Sequence, residues 1–187
     1  MELKYKNITI SGKVAVGTTT LAKNLSKTIG WRHVNAGFIQ REYDRKNAIQ
    51  ENRQGAASRS DEHEKEIDAM TKNMLANKTG LIYEAWLSGF MAKGIPHVYK
   101  ILVICSDEAI RIDRVVNREN ISVDDAKHWM KQREEENLFK WKKLYGNYDF
   151  WDPKYYNLVI DTYSSGRLET LGKVLDMIGY VQNLQNT

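Results

Sequence analysis

Apolar residues recur along the chain in two periods. Short, nearly continuous apolar runs at Lys4 to Ile10, Trp31 to Asn35, Gly80 to Tyr83, Tyr99 to Cys105 and Asn157 to Ile160 read as five buried strands. Between them, apolar positions return every three or four residues. Leu21, Ala22, Leu25 and Ile29 mark a helix from Thr19 to Thr28 closed by Gly30, and Ile67, Met70 and Met74 mark one capped by Ser60. Leu168, Leu171, Val174, Leu175 and Ile178 form the inward stripe of a last helix. Ser106-Asp107 opens a helix carrying Ile110, Ile112, Val115 and Val116, and Ser122-Val123-Asp124-Asp125 opens a long polar helix running toward Tyr145. Ala36-Gly37 leads into a helix with Phe38, Ile39, Gln40 and Arg41, and a brief helix around Trp86 to Met91 breaks at Gly94-Ile95-Pro96. From Glu42 through Gly55 to His63 the chain has the polarity of a mobile surface segment. Strands that alternate with helices and lack polar alternation predict an α/β fold, a five-stranded parallel sheet flanked by helices.

Composition narrows this picture modestly. A chain of 187 residues, 42% hydrophobic and 28% charged, suits one domain, and two prolines with no Gly/Ser-rich run leave little material for a linker. A net charge of +4 with both signs interspersed fits an anionic small molecule as well as a nucleic acid. The single cysteine, Cys105, excludes an internal disulfide and a multi-cysteine metal site, and ends a strand as a small buried residue would. No apolar stretch reaches signal-peptide length or the roughly 18 residues of a membrane span, so a cytoplasmic protein is expected. The four histidines show no ligand spacing.

The chemistry concentrates where the first strand becomes a helix, at Gly12-Lys13-Val14-Ala15-Val16-Gly17-Thr18-Thr19-Thr20. Two glycines five apart at that junction let backbone N–H groups curl round a phosphate, with the positive end of the helix behind them. Thr19 holds the place of the hydroxyl that helps bind Mg²⁺, but position 18, where the pattern carries lysine, is threonine. Lys13 either supplies part of the missing charge or is a solvated lysine. Glu84, at the carboxyl end of a strand, either holds Mg²⁺ through water or caps the next helix. Arg111, Arg114, Arg118 and Arg133 either clamp phosphate or form a solvated face paired with Glu119, Glu134, Glu135 and Glu136. Ligands of parallel sheets sit at the carboxyl ends of strands, where the loop and Glu84 both fall.

Several motifs in order make the chain resemble the short cytidylate kinase family, especially its archaeal-type members, over nearly its whole length. They are Ile8 to Ala22, Asn35-Ala36-Gly37-Phe38-Ile39-Gln40-Arg41-Glu42, Leu81-Ile82-Tyr83-Glu84 with Leu87-Ser88-Gly89-Phe90, Asn117-Arg118-Glu119 with Ile121-Ser122-Val123, Arg133-Glu134-Glu135, Leu144-Tyr145-Gly146, and Leu158-Val159-Ile160-Asp161-Thr162. The resemblance implies a single P-loop kinase domain with a helical NMP-binding segment at about 36–76 and a lid at about 111–145. It also implies ATP and Mg²⁺ as co-substrates and phosphoryl transfer to CMP or dCMP. ATP would bind at residues 12–20, and the acceptor at Ala36, Gly37, Arg41, Glu84 and Trp86. Arg114, Arg118 and Arg133, with Lys13, would serve the transferring group; Thr19 and Glu84 would hold Mg²⁺ through water, and Thr162 to Ser165 would approach the adenine. Expected partners are these small nucleotides, with no membrane, no nucleic acid and a monomeric state. Three positions depart from the family: Thr18 replaces the loop lysine, Ala85-Trp86 replaces Gly-Arg, and Lys140 replaces a lid arginine. They leave two alternatives: a catalytically silent nucleotide-binding module, or an ATP-dependent kinase for a different small acceptor.

Overall fold

The computed structural model describes residues 3–50 and 53–181. Five parallel strands form one sheet in the order β2-β3-β1-β4-β5, with β1 (Asn7–Ser11) at its centre. β3 (Leu81–Glu84) and β4 (Val98–Ile104) flank it, so Ile8 lies level with Ile82 on one side and Tyr99 on the other. β2 (Arg32–Asn35) and β5 (Leu158–Asp161) form the edges.

Apolar side chains leave both faces of this sheet, which is why the strand sequences lack alternation. On one face Ile8, Ile10, Ile101 and Val103 are fully buried with Leu25 of α1 (Thr18–Ile29) and Val174 of α7 (Arg167–Ile178). On the other, Val34, Leu81 and Tyr83 meet Ala36 of α2 (Ala36–Lys46) and Ile67 and Leu75 of α3 (Asp61–Asn77). The short α4 (Ser88–Met91) follows β3, and α5 (Glu108–Glu119) and α6 (Val123–Tyr145) fill the connection between β4 and β5. β1 begins at Asn7, three residues later than the apolar run suggests. The Asn7 amide donates to the carbonyls of Leu75 (3.0 Å) and Lys78 (2.7 Å) and accepts from the N–H of Leu81, tying the strand's first residue to the end of α3.

Side chains close the N-termini of α2, α3, α5 and α6: Asn35, Ser60, Asp107 and Ser122 each accept an N–H from the first turn. α1 differs. Gly17 precedes it, so its first-turn N–H groups have no side-chain cap and remain available to a ligand.

Two expectations are corrected. The polar stretch from Glu42 to His63 is not a mobile surface: α2 continues to Lys46, and Asp44 and Arg59 are buried. Its charges satisfy one another, which is how so polar a sequence enters the interior. The Arg59 guanidinium donates to both oxygens of Asp44 (2.7 and 2.8 Å) and to Glu64 (3.3 Å), and the Trp141 indole donates to Glu64 (3.2 Å). The turn at Ala56–Ser58 is pinned to α6, whose Glu136 and Asn137 accept the N–H groups of Gly55 and Ala56. Residues 51 and 52 of this stretch lie outside the described residues. Leu168, assigned to the inward stripe, is 81% exposed. The buried line of α7 is Thr170, Val174 and Ile178, four apart, and Leu168 lies on the opposite side of the helix. Among the described residues no helix is long and apolar enough to cross a membrane.

Candidate functional site

A cleft of about 760 Å³ opens over the carboxyl ends of the strands, floored by the loop between β1 and α1. The loop's shape follows from its residues. A Cβ at Gly12 would lie 2.6 Å from the Val103 carbonyl oxygen, so only glycine fits beside β4. Ala15 (φ 59°) and Gly17 (φ 104°) take left-handed conformations, which turn the chain back on itself. Three successive carbonyls are held from outside the curl. Val14 accepts from Arg111 Nε (3.0 Å), Ala15 from Arg114 Nη1 (3.0 Å) and Val16 from the Thr162 hydroxyl (2.7 Å). In a trans peptide the next residue's N–H points opposite to the carbonyl, so the amides of Ala15, Val16 and Gly17 are directed the other way.

Glu84 is the polar hub beneath the loop. Its Oε1 accepts from the hydroxyls of Thr18 (2.9 Å) and Thr19 (2.5 Å), while its Oε2 meets His33 Nε2 (2.9 Å) and the Asn35 amide (2.8 Å). The helix-capping alternative does not describe it, since α4 follows Leu87 with no side-chain cap. Thr18 therefore contributes a hydroxyl turned toward a carboxylate. The sequence reading missed His33. Its signal was the period of β2: His33 and Asn35 lie two apart on one face, and the register sets Asn35 level with Glu84.

The basic residues fall into two groups. Arg41, Arg114, Arg118 and Arg133 line the cleft, as do Asn35, Gly37, Ala85 and Trp86. Arg114 also donates to the hydroxyl (3.0 Å) and carbonyl (3.3 Å) of Thr162, and half-exposed Arg118 donates to Glu119 (2.6 Å). Arg133 lies over the Trp86 ring, 5.5 Å from its centre. Loss of solvation, together with the positive charges of Arg59, Arg118 and Arg41, pushes its guanidinium down to about 10. Outside the cleft, Arg111 is joined to Glu134, and Lys140 is buried against Asp61 (2.5 Å) at the start of α3. Lys13 touches both groups: it lines the cleft, yet its ammonium lies 4.9 Å from the Trp151 ring and 3.9 Å from Glu134. Trp86 is braced by Trp141 and Trp151, and the Trp151 indole donates to its carbonyl (3.2 Å). Ala36 and Val16 are buried in the core beside the cleft.

The far end of the cleft runs past Thr20 and Leu21 to Thr162, Ser165, Gly166, Arg167 and Thr170. The sequence pointed to Thr162 and Ser165; Arg167 and Thr170 gave no signal, because their place is set only by the fold of α7 beside α1. Oxygen donors at Thr19 and Glu84 suit a hard cation such as Mg²⁺, and the amide-rich loop with an uncapped helix behind it suits a polyphosphate. Among the described residues no cluster of histidine, cysteine and carboxylate side chains has the form of a metal cage.

The Cytidylate kinase-like family matches residues 7–164. The chain is 36% identical over 158 residues to a cytidylate kinase of Pyrococcus abyssi, covering 83% of each, and 32% identical over 166 residues to one of Methanosarcina acetivorans, covering 88% and 91%. Among solved structures, a gluconokinase from Sinorhizobium meliloti superposes with a TM-score of 0.61 at 10% identity, over 95% of this chain and 94% of that one. A shikimate kinase from Acinetobacter baumannii in complex with shikimate gives 0.57 at 14%, over 93% of each. These likenesses show a shared fold, a parallel five-stranded sheet between helices. By its sequence the chain belongs to the cytidylate kinase-like family.

Proposed function

We propose that the chain is a nucleoside-monophosphate kinase, transferring the γ-phosphoryl group of ATP to CMP or dCMP. The observation that carries this reading is the environment of Arg133. Its guanidinium has Arg59, Arg118 and Arg41 as charged neighbours, with Asp44, already taken by Arg59, as their counterweight. Like charges gathered in a partly desolvated cleft favour an anion between them, and two phosphorylated substrates supply it.

In this reading the loop amides and the first turn of α1 bind the triphosphate, with the adenine toward Thr162 and Ser165. Arg41, next to Gly37 at the start of α2, takes the acceptor phosphate. Arg118 and Arg133 face the transferring group, Arg114 joins the loop to Thr162, and Lys13 adds an ammonium from the loop itself. Thr19 and Glu84 hold Mg²⁺ through water, which when bound neutralises charge on the phosphates. No side-chain base is needed, because an acceptor phosphate is already ionised at neutral pH. Positioning and charge stabilisation do the chemistry, and closure of residues 111–145 over the substrates excludes water. The core and these segments act as one domain, with residues 36–76 receiving the acceptor.

The reading is tested by offering CMP, dCMP, UMP and AMP with magnesium-ATP and following ADP release. Turnover of CMP or dCMP above the others is expected. Bound ATP without turnover of any monophosphate would replace the kinase by a nucleotide-binding module. That reading is favoured by one feature, Thr18, whose hydroxyl is engaged with Glu84.

A further inference from the structure

Arg111 has no place in the phosphate clamp. It does not line the cleft, only 12% of its side chain is exposed, and its guanidinium is divided between the Val14 carbonyl (3.0 Å) and Glu134 of α6. With Arg114 on Ala15 and Thr162 on Val16, it completes a row of three donors on three consecutive loop carbonyls. We propose that this outer brace, with Arg111 as its positioning residue, is what makes a loop without lysine a phosphate site.

The argument is one of peptide geometry. Where a lysine reaches the phosphates, its flexible ammonium tolerates some disorder in the loop amides. With Thr18 there, no loop lysine stands at the usual place, so the loop N–H groups carry more of the grip on the triphosphate, and holding the carbonyls of the same peptides sets their aim. The N–H of Ala15 belongs to the peptide whose oxygen Arg111 grips, and φ of 59° at Ala15 is a strained setting for a residue with a Cβ. Arg111 holds that setting from outside, and its positive charge draws electron density toward the carbonyl oxygen, which strengthens the N–H as a donor. Glu134 fixes the guanidinium in turn. Because Glu134 adjoins Arg133 on α6, the brace also joins the loop to the helix that carries a cleft arginine.

This inference rests on the nucleotide-binding half of the proposed function, and a double-mutant cycle separates the two. Calorimetry with magnesium-ADP is performed on the native chain, Arg111→Gln, Thr18→Lys and the double variant, with thermal unfolding recorded for each. Arg111→Gln is expected to weaken ADP about tenfold, the weight of one charge-assisted hydrogen bond. In the Thr18→Lys background the same change is expected to cost about twofold or less, because the new ammonium no longer depends on the aim of the amides. A merely structural arginine would give equal losses in both backgrounds. Equal losses, or no loss in the native background, overturn the brace while leaving nucleotide binding intact. If the native chain binds no ADP, the kinase reading falls, and the brace with it. Should Arg111→Gln fail to fold, Arg111→Lys serves: it keeps one donor, and intermediate affinity is expected in the native background only. Equal weakening by Arg111→Lys in both backgrounds overturns the brace.

Discussion

Two neighbouring groups of arginine treat charge in opposite ways. Arg59 is buried at the junction of α2, α3 and α6 and is closed off by Asp44 and Glu64. Arg133, on α6 of the same junction, faces a cleft with positive neighbours and an aromatic ring beneath it. A buried cation whose three guanidinium nitrogens each meet a carboxylate builds structure. A cation crowded by its own kind is held in place by the rest of the fold, and in the proposed function a phosphate completes it.

The largest effect should come from the junction. Arg59→Ala leaves Asp44 and Glu64 buried without a partner, and loss of one member of such a network costs about 3–5 kcal/mol. Urea denaturation should show this, whereas Arg133→Ala should leave the midpoint unchanged or raise it by relieving repulsion. A comparable loss of stability in both variants would abolish the distinction between the two arginines.

Activity should reverse that ranking. In the proposed function Arg133→Ala removes a preorganised charge facing the transferring group, and a fall in kcat of about 10² to 10³ is expected, the usual weight of such a donor. The fall should lie in kcat more than in KM for ATP, since the charge matters most when the phosphoryl group is in transit. Loss confined to KM would place Arg133 in ground-state binding.

The junction also predicts a dependence on pH. Burial pushes the Asp68 carboxyl up to about 7 although the Tyr145 hydroxyl donates to it. A carboxyl raised on folding holds its proton more tightly in the folded chain, so its contribution is complete below about pH 4 and is lost as pH rises through about 7. Asp68→Asn keeps an acceptor for Tyr145 and should flatten that decline, making the chain about 1–2 kcal/mol more stable at pH 8. Parallel stability curves for native and variant between pH 4 and 8 would remove Asp68 from the account.

The sequence revealed the sheet and the loop because both are written in contiguous residues: apolar runs for strands, two glycines and Thr19 for the phosphate curl. Even the caps were legible at Ser60, Asp107 and Ser122, since a cap is a local hydrogen bond. What escaped was pairing across distance. His33 joins Glu84 only because β2 lies beside β3, and Arg59 is a core residue only because α2, α3 and α6 bring two carboxylates to it. Polar residues between Glu42 and His63 read as surface for the same reason. Composition reports how much charge is present, and the fold decides whether it is neutralised. Lys140 illustrates the point from the other side, since a cation expected in the lid belongs to the junction with Asp61.

Lys13 lies between the two groups, and it gives the smallest and sharpest prediction. Its contacts with Trp151 at 4.9 Å and Glu134 at 3.9 Å are loose, and its side chain is 39% exposed, so neither contact confines the ammonium as the carboxylates confine Arg59. Such contacts together are worth about 1 kcal/mol or less, and Lys13→Ala should lower stability by no more than that. If the flexible stem swings its charge onto a bound triphosphate, kcat/KM should fall about five- to tenfold, well short of the Arg133 variant, because a solvated and mobile ammonium is a weaker substitute for a preorganised guanidinium. Unchanged kcat/KM with a small loss of stability would assign Lys13 to the structural side, leaving the loop's attraction for phosphate to its amides, to the end of α1 and to the arginines across the cleft.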